Sequence, residues 1–288
     1  MSSAVLQTFN AEERIKEISD VEQIKKLPER FIQEKVVLGI DIYKYSEYSP
    51  VPQVYVPVLF ENLYALTVAN VLEYEPFIFS NYCTAAVEFK TRFIPTGDGG
   101  FQIFNNPIEA IVFSIYFQLN VKRFNSGGSK MDLLKKLQKI IGTIDLRYAI
   151  TTDQLYSYKS NYYGVSIINN SRILAKDQLN RMLIDDNTSA WLINHINSVE
   201  NLIDMDKSAF VSTNYFKSYN VQLKTFLFER KGAFKSVDVL KIGTIKSKST
   251  ELNIYNLHLQ TVMRLLIEKH AYDIYVITLG NLNTRGID

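Results

Sequence analysis

One segment constrains this chain more than any other. Residues 35–43, KVVLGIDIY, form an almost unbroken apolar run with a single acid inside it. Such a run reads as a central strand of a sheet. The acid, Asp41, then needs a reason, because a carboxylate in a buried strand costs roughly several kcal/mol unless it is paired or metal-bound. A second acid sits in FIPTGDGGFQIF, residues 93–104, where Gly97-Asp98-Gly99 separates two apolar runs. Asp-Gly between β-prone runs predicts a hairpin turn, flanked by the strands AAVEFKTRFI and GFQIF. A strand and an adjacent hairpin can bring Asp41 and Asp98 side by side.

The other segments alternate in type. Ile15, Ile18, Val21, Ile24 and Leu27 predict an amphipathic helix over 11–27, stopped by Pro28. A loop runs through Pro50 and Pro52, then an apolar helix spans about 58–72. Asn106-Pro107 is a helix cap followed by proline at the first helical position, opening a helix to about Phe124. The loop NSGGSK leads to a Lys-rich helix over 131–141. The strand TIDLRYAIT follows, then a hairpin or flap in QLYSYKSNYYG and a helix in VSIINNSRILAKDQL. RMLID reads as a short strand and NTSAWLINHI as a helix. From about 207 the pattern turns to strands: YNVQLKTFLFE, VDVLKIGTIKS and ELNIYNLHLQTV.

The 288 residues are 47% apolar, with net charge +2 and one cysteine. That composition supports a sizeable core and argues against bulk nucleic-acid or membrane-surface binding. Cys83 alone allows no intrachain disulfide and suits a reducing compartment. The N-terminus is acidic where a signal peptide is basic, and AIVFSIYFQLNV is shorter than the roughly 20 residues a bilayer needs. A cytoplasmic protein is expected. His195, His258 and His270 lack the spacing of zinc ligands.

The order strand with acid, helix, Gly-Asp hairpin, helix, strand, flap with Gly, helix with Arg resembles the class III nucleotidyl cyclase catalytic domain over roughly residues 35–230. The motifs are DIYKYS (Asp41, Ile42, Tyr45 and Ser46, with Lys44 where the family has Gly), Gly97-Asp98, and NYYGVSIINNSR, with Gly164 and Arg172 eight apart. The tail KIGTIKS…ELNIYNLHLQ is similar to that of the Pycsar-type pyrimidine cyclases of bacterial anti-phage defence.

The resemblance implies an α+β fold with a ferredoxin-like βαββαβ core and a mixed, largely antiparallel sheet. An N-terminal helical segment (1–34) would precede the catalytic domain (35–230), and a β-rich extension (231–288) would pack on it. It implies a homodimer with shared active sites and two divalent cations, Mn²⁺ or Mg²⁺, held by Asp41, Asp98 and the Ile42 carbonyl. Ser46, with nearby amides, would hold the terminal phosphates, and Lys217 is a candidate triphosphate contact. Arg172 would come from the opposite chain to stabilise the transition state. The family asparagine falls on Ile168, which leaves a ribose contact by the adjacent Asn169 open.

The base-reading positions are Ile94 and Asn161, with Arg92 and the flap tyrosines, Tyr163 among them, as further lining. Ile94 offers no hydrogen bond, and the Asn161 amide suits either uracil or cytosine. The expected reaction is UTP to cyclic UMP, with an effector protein reading the product. CTP as substrate, a purine cyclase and a non-catalytic nucleotide-binding module stay open as alternatives.

Overall fold

The computed structural model describes residues 32–82, 86–158, 161–196, 234–246, 251–268 and 271–287. The expected N-terminal helix, the strand YNVQLKTFLFE and Lys217 lie outside them. Among the described residues, nine strands form one sheet. They are β1 (Gln33–Ile42), β2 (Phe93–Pro95), β3 (Gly99–Phe104), β4 (Leu146–Tyr158), β5 (Asn161–Gly164), β6 (Met182–Asp185), β7 (Phe234–Lys246), β8 (Glu251–Glu268) and β9 (Ala271–Leu279). The helices are α1 (Pro50–Tyr74), α2 (Ala86–Thr91), α3 (Pro107–Asn125), α4 (Asp132–Ile141), α5 (Val165–Lys176) and α6 (Asp186–Ile196).

The spatial order is β2-β3-β1-β4-β6-β8-β7, with β5 paired to β4 and β9 to β8. Strand β1 is antiparallel to both β3 and β4. With α1 after β1 and α3 after β3, the first four strands make the expected βαββαβ core in ferredoxin-like order, and the fold is α+β. The β4–α5–β6 crossover adds the parallel pair that makes the sheet mixed. Strand β8 bonds to β6 at Leu183–Asn256 to Asp185–Ile254, so the C-terminal strands enlarge this sheet.

Helices α1 and α3 cover one face. On α3 the Asn106 side chain accepts the Glu109 amide at 2.9 Å, the cap expected from the sequence. Phe113 and Phe117 of α3 meet Tyr64 and Phe60 of α1, with ring centroids 5.8 and 5.3 Å apart. On the other face Ile173 and Leu174 of α5 pack with Ala149 and Leu183. Helix α5 approaches β1 closely, so that a Cβ on Gly39 would overlap the Asn170 side chain. Asn170 is buried and donates to the carbonyls of Val37 and Ala149 at 2.8 and 2.9 Å, pinning the helix to the sheet.

Three expectations are corrected. Helix α1 begins at Pro50, not near 58, because proline suits the first helical position. Pro57 inside it costs about 3 kcal/mol, offset by burial of Val56, Leu59, Phe60, Leu63, Val68 and Val71. At 25 residues α1 is, by length and composition, long and apolar enough to cross a membrane, which the reading of AIVFSIYFQLNV did not anticipate; its buried face packs in the core.

The segment AAVEFKTRFI is not one strand: α2 takes Ala86–Thr91 and only Phe93 and Ile94 stay in β2. Phe89 is fully buried, 4.6 Å from the Tyr82 ring and 5.7 Å from Phe79. Packing a helical turn into this aromatic cluster outweighs β propensity. Strand β9 had no counterpart in the sequence reading. It is held along β8, and Lys122 of α3 donates to its Val276 carbonyl at 2.7 Å.

Candidate active site

The carboxylates come together where β1 meets the β2–β3 turn. Asp41 lies opposite Gly99 in the β1–β3 register, and the Ile42 amide donates to the Asp98 carbonyl at 3.1 Å. Gly97 takes φ +102°, a conformation that favours glycine. A Cβ on Gly99 would strike the Ile40 carbonyl oxygen. The glycines therefore let the turn fold down onto β1 and set Asp98 beside Asp41. Asp98 is both the turn residue and the neighbour of the strand acid.

Burial raises the Asp41 pKa, Arg147 opposes that shift, and the adjacent Asp98 carboxyl raises it further. A cation bound between the two carboxyls would offset their mutual repulsion. Among the described residues no cluster of three or more His, Cys, Asp or Glu side chains could hold a metal ion. The donor set that the resemblance implies here, two carboxylates plus the Ile42 backbone carbonyl, is all oxygen. It fits a hard divalent ion that completes its shell with water and substrate phosphates.

Arg147 was missed in the sequence reading. It stands on β4 directly opposite Asp41, and its Nε donates to Asp41 Oδ2 at 2.5 Å. Its Nη1 donates to the Asp177 carbonyl at 2.6 Å. The available signal was a charge inside the strand TIDLRYAIT, the same kind of anomaly that singled out Asp41.

After β1 the chain turns through Lys44 at φ 60°, the one non-glycine residue with positive φ among the described residues. This is the position where the resembling family has Gly. The strained conformation is accompanied by a Lys44–Glu47 ion pair at 3.1 Å. Ser46 is exposed in the 3₁₀ turn Tyr45–Glu47 that follows, between Asp41 and the N-terminus of α1.

Arg172 is exposed on α5 and donates to Asn169 Oδ1 at 3.5 Å. Among the described residues no ion pair links it to Asp41 or Asp98. Helix α5 begins directly after Gly164. Ile168 is half exposed, Asn169 is buried beside Arg172, and Asn170 points into the sheet. Tyr156, Tyr163, Val165 and Ile168 form an exposed apolar set on the flap and α5, with Tyr156 and Tyr163 stacked at 5.8 Å.

The base-reading residues do not converge as expected. Ile94 packs with Phe101, Tyr162 and Ile167 around Val37, Ile103 and Leu155. Asn161 and Tyr163 are exposed and alternate with Tyr162 along β5, so they occupy its opposite face. A strand cannot turn adjacent side chains to one side, and Tyr162, not Asn161, shares the surface of Ile94. Arg92 is also withdrawn: it is 7% exposed, its guanidinium lies 5.0 Å from the Tyr82 ring, and its Nη1 donates to Tyr82 Oη at 3.5 Å.

No protein-family model matches the sequence, and no curated protein matches it. Solved structures with similarity include the guanylyl cyclase Cya2, at 13% identity over 78% of this chain and 92% of that chain, with a TM-score of 0.41. The adenylyl cyclase CyaB from P. aeruginosa is 13% identical over 78% of this chain and 95% of its own, with a TM-score of 0.43. The catalytic core of a rhodopsin-guanylyl cyclase with converted specificity, in complex with ATPalphaS, is 10% identical over 78% and 97%, with a TM-score of 0.42.

Proposed function

We propose that this protein is a nucleotidyl cyclase that converts UTP to 3′,5′-cyclic UMP and pyrophosphate, with CTP the next candidate substrate. The observation that carries the reading is the juxtaposed Asp41–Asp98 pair with Arg147 across from it. This is an oxygen-rich cation site bordered by a fixed guanidinium, suited to a metal-bound triphosphate. In the reaction the ribose 3′-oxygen bonds to the α-phosphorus, the bond from that phosphorus to the β-phosphate oxygen breaks, and the hydroxyl proton leaves to solvent. Mn²⁺ or Mg²⁺, when bound, would promote ionisation of the attacking hydroxyl and neutralise phosphate charge.

The chain's own residues do the rest. Asp41, Asp98 and the Ile42 carbonyl hold the cations, and Ser46 receives the terminal phosphates, with Lys217 a further candidate contact. Arg172 is exposed on α5, and the resemblance implies that such an arginine serves the site of a second copy. The exposed set Tyr156, Tyr163, Val165 and Ile168 near it supports a closed homodimer in which Arg172 reaches that site. Ile94 lacks the hydrogen-bonding side chain that the resembling purine cyclases carry at this position, which supports a pyrimidine substrate. The resemblance of the C-terminal strands further supports a cytoplasmic second-messenger role in anti-phage defence, read out by an effector.

The test is to incubate the protein with each of the four ribonucleoside triphosphates and Mn²⁺ and to identify products by mass spectrometry. Cyclic UMP as the main product supports the reading. Cyclic CMP or a cyclic purine would reassign the base, and no cyclic product with any triphosphate would refute cyclase activity.

A further inference from the structure

The C-terminal tail, residues 281–287, takes no part in the chemistry above, yet a buried arginine ties it to the carboxylates. Arg181 lies between α5 and β6 and is 2% exposed. Its Nε donates to Asp177 Oδ1 at 2.9 Å, and its Nη2 forms an ion pair with the same oxygen at 2.8 Å. Its Nη1 donates to the tail carbonyls of Arg285 and Asn283 at 2.6 and 3.4 Å. Asn281 strengthens the attachment, donating to the Asn180 carbonyl and Oδ1 at 3.1 and 2.8 Å. The Asp177 carbonyl in turn accepts Arg147 Nη1, and Arg147 Nε holds Asp41. The polar path from tail to Asp41 has no gap.

Filling this space with an apolar side chain would avoid the desolvation of a buried ion pair. A guanidinium fork instead fixes direction, because its planar donors fit one arrangement of acceptors. We propose that the tail, acting through Arg181 and Asp177, holds the Arg147 guanidinium on Asp41 and so sets how readily a divalent cation enters the carboxylate pair. The inference rests on the metal-site part of the proposed function. Arg147 and a cation compete for the same carboxylate, and ordering Arg147 in advance strengthens its side of that competition. Arg181 and Asp177 are positioning residues. Displacing the tail would alter cation entry without any contact at the site, which is a coupling between separate places in the molecule.

The experiment measures Mn²⁺ binding to the full-length protein by calorimetry, without nucleotide. Arg181→Met should bind Mn²⁺ about fivefold tighter than wild type, within the coupling seen for residues sharing one network. Asn281→Ala, a milder loosening of the tail that spares the buried charge, should shift affinity in the same direction and serves if Arg181→Met does not fold. In an Arg147→Ala background, neither substitution should change Mn²⁺ affinity further. Equal affinity in wild type and the tail variants, with binding still lost in Asp41→Asn, would overturn the clamp and leave the metal site standing. A shift that persists undiminished without Arg147 would also overturn it, since Arg181 would then act on the site by another route. Absence of Mn²⁺ binding in the wild type would refute both the clamp and the metal site.

Discussion

Asp41 and Arg147 face each other across the β1–β4 pair, joined by an ion pair of 2.5 Å. Asp41 also has Gly99 opposite it on the other flank, with Asp98 next in the turn. The central strand therefore presents Asp41 between a cation on one neighbour and a second carboxyl on the other. An apolar residue at 41 would satisfy the sheet at less cost, so the arrangement is best explained by what it binds.

Replacing Asp41 or Asp98 by Asn should leave the fold intact and lower turnover by more than about 100-fold, since changing even the hydrogen-bond partners behind metal ligands costs roughly 10–100-fold. Steady-state rates with Mn²⁺, alongside circular dichroism, check this. Activity within tenfold of wild type in either variant would count against a shared metal site.

Mixing inactive Asp41→Asn and Arg172→Ala chains under exchange conditions should restore activity. In a closed two-fold dimer each heterodimer rebuilds one intact site. Native mass spectrometry establishes that heterodimers form. If they form and remain inactive, Arg172 does not serve the opposite chain.

The base-reading positions separate by mutation. Asn161→Asp should reduce kcat/KM for UTP by about tenfold to a hundredfold, the cost of facing a uracil carbonyl with a carboxylate, and spare CTP more. Tyr162→Phe tests the surface Ile94 shares within one chain. If only the Tyr162 change alters the UTP:CTP ratio, the base lies on the Ile94 face of β5.

Metal binding should weaken on acidification sooner than for an ordinary aspartate. The Asp41 carboxyl is held above its usual range by burial and by Asp98. Mn²⁺ requires its ionised form, so affinity falls as pH drops through that raised value. Calorimetry across a pH series checks the direction, and a profile that stays flat down to the normal aspartate range would contradict it.

Glu109 predicts a separate stability effect. It is fully buried, and burial raises its pKa from 4.5 to about 7 against the opposing bonds from Asn105 and Tyr82. The folded state thus holds a proton that the unfolded state releases between those values. Its contribution to stability is complete below about 4.5 and is lost as pH rises to about 7. The difference in unfolding free energy between wild type and Glu109→Gln should shift by on the order of 3 kcal/mol across that window. A constant difference in denaturant melts would refute the proton uptake.

Much of this protein was legible in its sequence because the signals are local. The apolar run around Asp41 and the glycines around Asp98 marked a strand and a turn. Asn106-Pro107 marked a helix start, which the Glu109 amide confirms. Lys44 was singled out by identity, but only the backbone showed it to be in the left-handed region.

What the tertiary structure decided is long-range. The aromatic cluster at Phe89 turned half of an apparent strand into α2, because burial there outweighs alternation. The pairing of β8 with β6 drew the C-terminal strands into the central sheet. Arg147 became the partner of Asp41 only through register, and Arg181 joined the tail to that pair through acceptors 102 and 104 residues away in sequence. Cross-strand register and side-chain direction depend on how separate segments pack, and no local pattern in a single strand carries that information.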